Sequence, residues 1–374
     1  MNASRIAILQ HAVRDQGLAC AFLVPGPNLR YLTGLQLEAF ERVILGIVPP
    51  VGDLAFVVPQ LEADKVRARI GADPHSDAVF PYTDDAGPLD AVRKALRALT
   101  LDLGPRAMGA EFLHMRLLER HIIEQASGPV RPDRSIHFHD LGPIVARMRA
   151  VKDSDELAAL KRAAQIVDTG IAAAASTITP GVTEREVAAA AERAMLAAGA
   201  DSIPFNAVLA GANSALPHGE TGDYAMRDGD MVICDIGATY RGYNGDITRT
   251  FAVGKPTPQM AKVYAAVYDA NRAACRAARP EVTGEQLDWI ARDAITRAGF
   301  GEYFTHRTGH GLGLEIHEEP YIVQGAAEPL KPGMVFTIEP GIYIPGVGGV
   351  RIEDDLALTE DGCVVLTAFP RELA

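Results

Sequence analysis

Asp235, Asp246, His310, Glu339 and Glu353 have the types and spacing of a metal centre. Four carboxylates and one imidazole, spread over about 120 residues of the last third of the chain, are donors that hard-to-borderline divalent cations prefer. They suit two cations roughly 3.5–4 Å apart, and a water bridging such ions loses its proton near neutral pH and attacks a polarised carbonyl. Without cations the same four carboxylates would repel one another strongly. Taken singly, each acid reads as a surface carboxylate near a turn. Taken together, they lie beside strand residues that should be buried, where an unpaired carboxylate is costly. The joint pattern points to hydrolysis at a two-metal site.

The elements that must position these residues can be read around them. Asp235 and Asp246 flank Arg241-Gly242, so a hairpin can deliver both to one place. A second hairpin turning at Pro345-Gly346 is expected to do the same for Glu339 and Glu353. His310 lies in Thr308-Gly309-His310-Gly311-Leu312-Gly313, whose glycines oppose a regular helix and would let backbone approach a ligand closely. The spacing of His306 and His310 mimics a zinc-protease helix, but Arg307 stands where that motif needs glutamate. The three glycines also mimic a dinucleotide fingerprint, without the strand-to-helix setting that fingerprint requires.

The same region repeats itself at a period of about 100 residues. Pro180-Gly181-Val182-Thr183 with Glu186 matches Pro280-Glu281-Val282-Thr283 with Gln286, each a capping-box helix start. Both helices should end at an Ala-Gly, at Gly199 and Gly299. Strands entered by Met231-Val232 and Met334-Val335 then each deliver a carboxylate. Duplication into one pseudo-two-fold domain, with the site between its halves, accounts for the pattern.

With 374 residues, two domains are expected rather than one. Residues 1–140 alternate apolar runs (Ala21 to Val24, Val43 to Val48, Leu54 to Val58) with helical spacing (Gln60 to Ile70, Asp90 to Leu99), which predicts a small α/β domain with a mixed sheet. His137 and His139, on alternate strand positions, lack a third ligand nearby and read as a solvated pair. Residues 141–150 read as a linker. The catalytic domain then spans 151–374 and opens with a capping box at Asp153 and Glu156.

A net charge of −12 and the absence of any Lys/Arg-rich run argue against nucleic acid or an anionic membrane as partner. The longest apolar stretch, Val43 to Val58, is broken by Pro49-Pro50 and Gly52-Asp53, so no membrane span is expected. No signal peptide is evident at the amino terminus, and Cys20, Cys234, Cys275 and Cys363 stand singly, as in a cytoplasmic protein.

These motifs resemble the prolidase, aminopeptidase P and methionine aminopeptidase superfamily. The resemblance covers about residues 145–365, in the segments Asp-Ile-Gly, Asp-Ile-Thr-Arg-Thr, Thr-Gly-His-Gly-Leu-Gly, Ile-Glu-Pro-Gly-Ile-Tyr and Val-Arg-Ile-Glu-Asp. It implies a creatinase/prolidase-like α/β domain followed by an α+β pita-bread catalytic domain. It implies that the five residues are ligands of two divalent ions, for which the oxygen-rich donors lean toward manganese, with zinc or cobalt also possible. Glu339 would then move the proton, His218 and His317 would contact the tetrahedral intermediate and substrate, and His306 and Arg351 would line the proline side of the cleft. Thr248 and Thr337 could orient ligands. The substrate implied is a small peptide with proline in second position, cleaved at the Xaa-Pro bond.

Tyr31 to Gly34 followed by Phe40-Glu41-Arg42 is similar to bacterial prolidases, in which a loop of the amino-terminal domain closes over a cleft, often that of a partner in a homodimer. On that ground Arg42 is expected to clamp the substrate carboxylate. Against a strict dipeptidase, Tyr321 stands where some prolidases carry arginine, so aminopeptidase P activity on longer peptides remains the alternative. Creatinase-like chemistry and non-catalytic binding relatives lack the full ligand set found here.

Overall fold

The computed structural model describes residues 1–38, 40–71, 78–99, 107–128 and 136–373. It comprises two compact units, Met1–Met148 and Arg149–Ala374.

In the first unit the three apolar runs form the buried strands β1 (Ala21–Leu23), β2 (Leu45–Val48) and β3 (Ala55–Pro59). With β4 (Val79–Tyr82), β5 (Ala107–Ala110) and β6 (His137–Asp140) they make a six-stranded sheet in the order β4-β3-β2-β1-β5-β6. Pairing is antiparallel from β1 to β3 and parallel for β3–β4, β1–β5 and β5–β6, the mixed sheet expected. Helices α1 (Ala3–Asp15), α2 (Pro27–Thr33), α3 (Ala63–Ile70), α4 (Leu89–Ala98) and α5 (Leu117–Ala126) accompany it. Phe22, Leu45, Ile47, Val57, Val92 and Met108 are fully buried in its core. His137 and His139 are exposed on β6 and belong to no candidate ligand group among the described residues. Residues 142–150 are helical, as α6 (Gly142–Ala150).

The second unit shows the duplication directly. Its halves begin with helix pairs, α7 (Ser154–Thr177) with α8 (Glu184–Ala197) and α9 (Pro258–Ala277) with α10 (Gly284–Arg297). Asp153 caps α7, and Thr183 and Thr283 cap α8 and α10 through reciprocal boxes with Glu186 and Gln286. Each such cap satisfies first-turn amides that a helix leaves open. The first half continues into β7 (Asn206–Ala210), β8 (Met231–Tyr240) and β9 (Tyr243–Ala252), an antiparallel sheet whose β8–β9 turn has positive φ at Arg241 and Gly242.

The second half contributes β10 (Gly309–Gly311), β11 (Glu318–Ile322), β12 (Val335–Ile338), β13 (Gly341–Ile344), β14 (Gly348–Arg351), β15 (Asp354–Leu358) and β16 (Cys363–Val365). Five of them form a sheet in the order β11-β10-β12-β15-β16, while β13 and β14 pair separately. Each half has its own apolar core, one around Ile166, Ile171, Val187 and Ile236, the other around Val267, Leu287, Ile338 and Val350. No helix among the described residues is long and apolar enough to cross a membrane.

Candidate metal centre

The β8–β9 hairpin sets Asp235 opposite Thr248 and Asp246 opposite Gly237. Both carboxylates are therefore an even number of positions apart across the pair and share one face of the sheet. The second hairpin differs from the uninterrupted one expected. Ile338 pairs with Asp354 in the β12–β15 ladder, and Gly341 pairs with Arg351 in β13–β14, so Glu339 and Glu353 fall in the break between two ladders. Their amides bond elsewhere, Glu339 N–H to the Thr308 carbonyl at 2.7 Å and Glu353 N–H to the Thr248 carbonyl at 3.1 Å. The second contact ties the two halves together at the centre.

The glycines around His310 serve strand packing rather than ligand approach. A Cβ at Gly309 would lie 1.9 Å from the Thr337 carbonyl oxygen, and one at Gly311 would lie 2.3 Å from that of Glu319. Only glycine lets β10 fit between β11 and β12 at this spacing.

The chain brings Asp246, His310 and Glu353 together, one ligand atom from each lying within 4.8 Å of the others, all three buried. His310 Nε2 is 3.3 Å from Glu339 Oε1 and 3.9 Å from Asp246 Oδ2. Its Nδ1 faces the Gly311 carbonyl at 3.2 Å, so Nδ1 carries the proton and Nε2 presents a lone pair to the carboxylates. Burial, with His317 adding to it, lowers the His310 pKa to about 3, which keeps the ring neutral. A bare nitrogen facing ionised carboxylate oxygens is repulsive unless a proton or a cation lies between them.

Burial, then mutual repulsion, pushes Asp246 and Glu353 well above the ordinary carboxylate range. Burial pushes Glu339 up to about 7, with Arg351 working in the other direction. Asp246 Oδ1 is buried without a hydrogen-bond partner. This orphaned oxygen, the neutral imidazole and the crowded acids fit a divalent cation.

Asp235 adds its negative charge to the same group, raising Asp246, Glu339 and Glu353 beside the larger effect of burial, but its own side chain is paired with Arg351. Arg351 also donates to the Tyr343 hydroxyl at 2.7 Å and to Thr248 Oγ1 at 3.1 Å. The Tyr343 hydroxyl in turn donates to His306 Nε2 at 3.0 Å, since His306 Nδ1 donates to the Arg307 carbonyl at 2.7 Å. Burial first, then Arg351, lowers the His306 pKa to about 4. The His317 and His310 rings meet edge to face at 4.2 Å. His218 is exposed, and its charge acts on both His306 and His317. Thr248 donates to Glu353 Oε2 at 2.7 Å, and Thr337 Oγ1 accepts the His310 N–H at 3.1 Å.

Arg42 lies in the other unit, where its guanidinium forks onto Asp84 with both bonds at 2.8 Å and also contacts Glu41.

Residues 158–360 match the model of metallopeptidase family M24, and residues 5–151 match the creatinase/prolidase N-terminal domain. The chain belongs to metallopeptidase family M24. It is similar over 372 residues to a probable dipeptidase PepE of Mycobacterium tuberculosis, 40% identical and covering 99% of this chain and 96% of the relative. Over 237 residues it is 46% identical to an Xaa-Pro dipeptidase of Pyrococcus furiosus, covering 63% of this chain and 68% of that protein. A crystal structure of prolidase from Thermococcus sibiricus superposes with a TM-score of 0.90 at 36% identity, over 100% of this chain and 99% of that one. The fold is thus the creatinase-type N-terminal domain followed by the pita-bread domain of this M24 group, as the motifs implied. The M24 chain is a metallopeptidase, and its family implies divalent metal ions.

Two residues of the M24 site escaped the reading of the sequence. Tyr343, which joins His306 to Arg351, sits in the quoted Ile-Glu-Pro-Gly-Ile-Tyr segment. Its signal was β alternation, which puts it on the same side of the chain as Glu339 and Gly341. Asp355, whose Oδ2 accepts the Asp246 N–H at 3.1 Å, is hidden beside the ligand candidate Glu353 in an acidic run.

Proposed function

We propose that this M24 peptidase is an Xaa-Pro dipeptidase, hydrolysing the bond before proline in dipeptides. The observation that carries this is the convergence of Asp246, His310 and Glu353 within 4.8 Å, with Glu339 beside them. Its similarity to the dipeptidase and prolidase relatives supports the choice of substrate. A proline nitrogen makes the scissile amide tertiary, so a peptidase that needs the N–H cannot cleave it and a dedicated site is required.

In this reading Asp235, Asp246, His310, Glu339 and Glu353 hold two divalent ions, manganese being the best match for an oxygen-rich set, with zinc or cobalt as alternatives. Bound ions would acidify water and polarise the scissile carbonyl. Asp235, paired with Arg351 here, would turn part of that pairing toward a bound cation. Glu339 takes a proton from the attacking water and returns it to the leaving proline nitrogen. His317 and His218, both exposed, donate to the oxygen that becomes anionic. His306, neutral and hydrogen-bonded to Tyr343, and Arg351 border the proline ring. Arg42 acts as a carboxylate clamp only by exchanging Asp84 for substrate. The proposal extends to a domain order of 1–140, a connecting segment 141–150 and a catalytic domain 151–374, and to a cytoplasmic homodimer.

Tyr321 and the saturated fork of Arg42 favour the second reading, aminopeptidase P. Manganese-loaded protein is given an Xaa-Pro dipeptide and the matching Xaa-Pro-Xaa tripeptide, and release of the amino-terminal residue is followed. Cleavage restricted to the dipeptide supports the dipeptidase. Efficient tripeptide cleavage replaces it with aminopeptidase P, and cleavage of neither by metal-loaded protein removes both.

A further inference from the structure

Arg307 has no part in the reading above. It is half-buried, and its guanidinium carbon lies 4.7 Å from the centroid of the Tyr321 ring. Neighbouring arginines of the same unit are committed. Arg351 holds Asp235, Tyr343 and Thr248. Arg292 holds Asp288 and the carbonyls of Phe304 and His306, and Arg149 holds Glu315 and Glu318. Among the described residues the Arg307 side chain has no hydrogen-bond or ion-pair partner.

It stands beside the centre nevertheless: it lies three residues before His310, and its carbonyl accepts from His306, whose ring meets the Tyr343 hydroxyl that Arg351 also holds. The backbone that carries it is fixed on both sides: Thr308 N–H donates to the Ile322 carbonyl at 3.0 Å, and Thr308 Oγ1 donates to Asp288 at 2.8 Å. A guanidinium stacked on an aromatic face keeps its edge donors free, and those donors match a carboxylate bidentately. Five donors without an acceptor, close to the reacting centre and held by a ring, form an anion site awaiting its ligand.

We propose that Arg307, seated on Tyr321, binds the free α-carboxylate of the substrate and so sets the preference for dipeptides. This rests on the dipeptidase reading. The arginine is supplied from the segment preceding β10, and tyrosine at 321 serves as its support.

The test compares an Xaa-Pro dipeptide with the same dipeptide as its C-terminal amide, at fixed manganese. Wild type should favour the free acid. In Arg307→Gln, KM for the acid should rise about 10- to 100-fold more than KM for the amide, the loss of a charge-assisted pair. Arg307→Lys, a charge without the fork, should recover only part of the preference and serves as the variant of record if glutamine there prevents folding. Tyr321→Ala should weaken the preference, and Tyr321→Phe should keep it.

Equal losses on acid and amide in Arg307→Gln would overturn the proposal in favour of a general electrostatic role. So would a preference that survives in Arg307→Gln and vanishes in Arg42→Ala. Wild type cleaving acid and amide equally leaves Xaa-Pro hydrolysis standing and removes the carboxylate site. Wild type cleaving neither removes the dipeptidase reading and this proposal with it.

Discussion

Glu339 is held in the metal-free protein with a pKa of about 7, against an ordinary 4.5, so at pH 6.5 most molecules carry its proton. A cation needs the carboxylate, so its binding must expel that proton. Manganese affinity should therefore fall as the pH drops through 7, and titration calorimetry at pH 6.5 in two buffers of different ionisation enthalpy should reveal proton release. Buffer-independent heats would contradict this. The raised value also means that Glu339 favours the metal-free fold below pH 4.5 and loses that contribution as the pH rises through 7. Glu339→Gln should accordingly be more stable than wild type in chelator at pH 8, by thermal unfolding. Its kcat should fall by about 10²–10⁴, the scale of a lost general acid–base, with metal still bound at the other residues. At this scale the sequence was informative wherever chemistry lies in residue type: carboxylates and an imidazole announce themselves among strand residues. Arg307 and Tyr343 did not, because an arginine or tyrosine acquires its role only from the groups that surround it after folding.

The elements that carry these residues differ in what they tolerate. Thr283 caps the first turn of α10 through Gln286 and bonds none of the ligand candidates, so Thr283→Ala should cost about 1 kcal/mol of stability and leave metal affinity little changed. Gly309→Ala should do the opposite in kind. Its Cβ would collide with the Thr337 carbonyl, and the overpacking, about 1–3 kcal/mol, would be relieved by moving the residue next to His310. Loss of metal affinity beyond the loss of stability is the expected signature, read by calorimetry beside a denaturant titration. Both helix starts were legible in Thr-x-x-Glu/Gln, because capping is local. The break between the β12–β15 and β13–β14 ladders was not. Alternation along Val335 to Ile344 and Gly348 to Leu358 runs through it unchanged, and the interruption arises from long-range bonds of Glu339 to Thr308 and of Glu353 to Thr248.

Across the whole molecule, the duplication was visible because a period of about 100 residues survives in caps and turns even where side chains have diverged. The mixed sheet of the first unit was equally plain in its apolar runs. What the period could not convey is how the two copies are joined. Asp246 takes its amide partner from Asp355, Thr248 meets Glu353 through both side chain and backbone, and Thr250 exchanges hydrogen bonds with Arg351. No half owns the centre. A nascent chain must therefore close contacts spanning about 100 residues before any cation finds its donors, a late step because such loops are costly to close. Metal should act as a lock rather than a seed: manganese added during refolding should leave the folding rate unchanged and slow unfolding, as expected of contacts missing from the transition state.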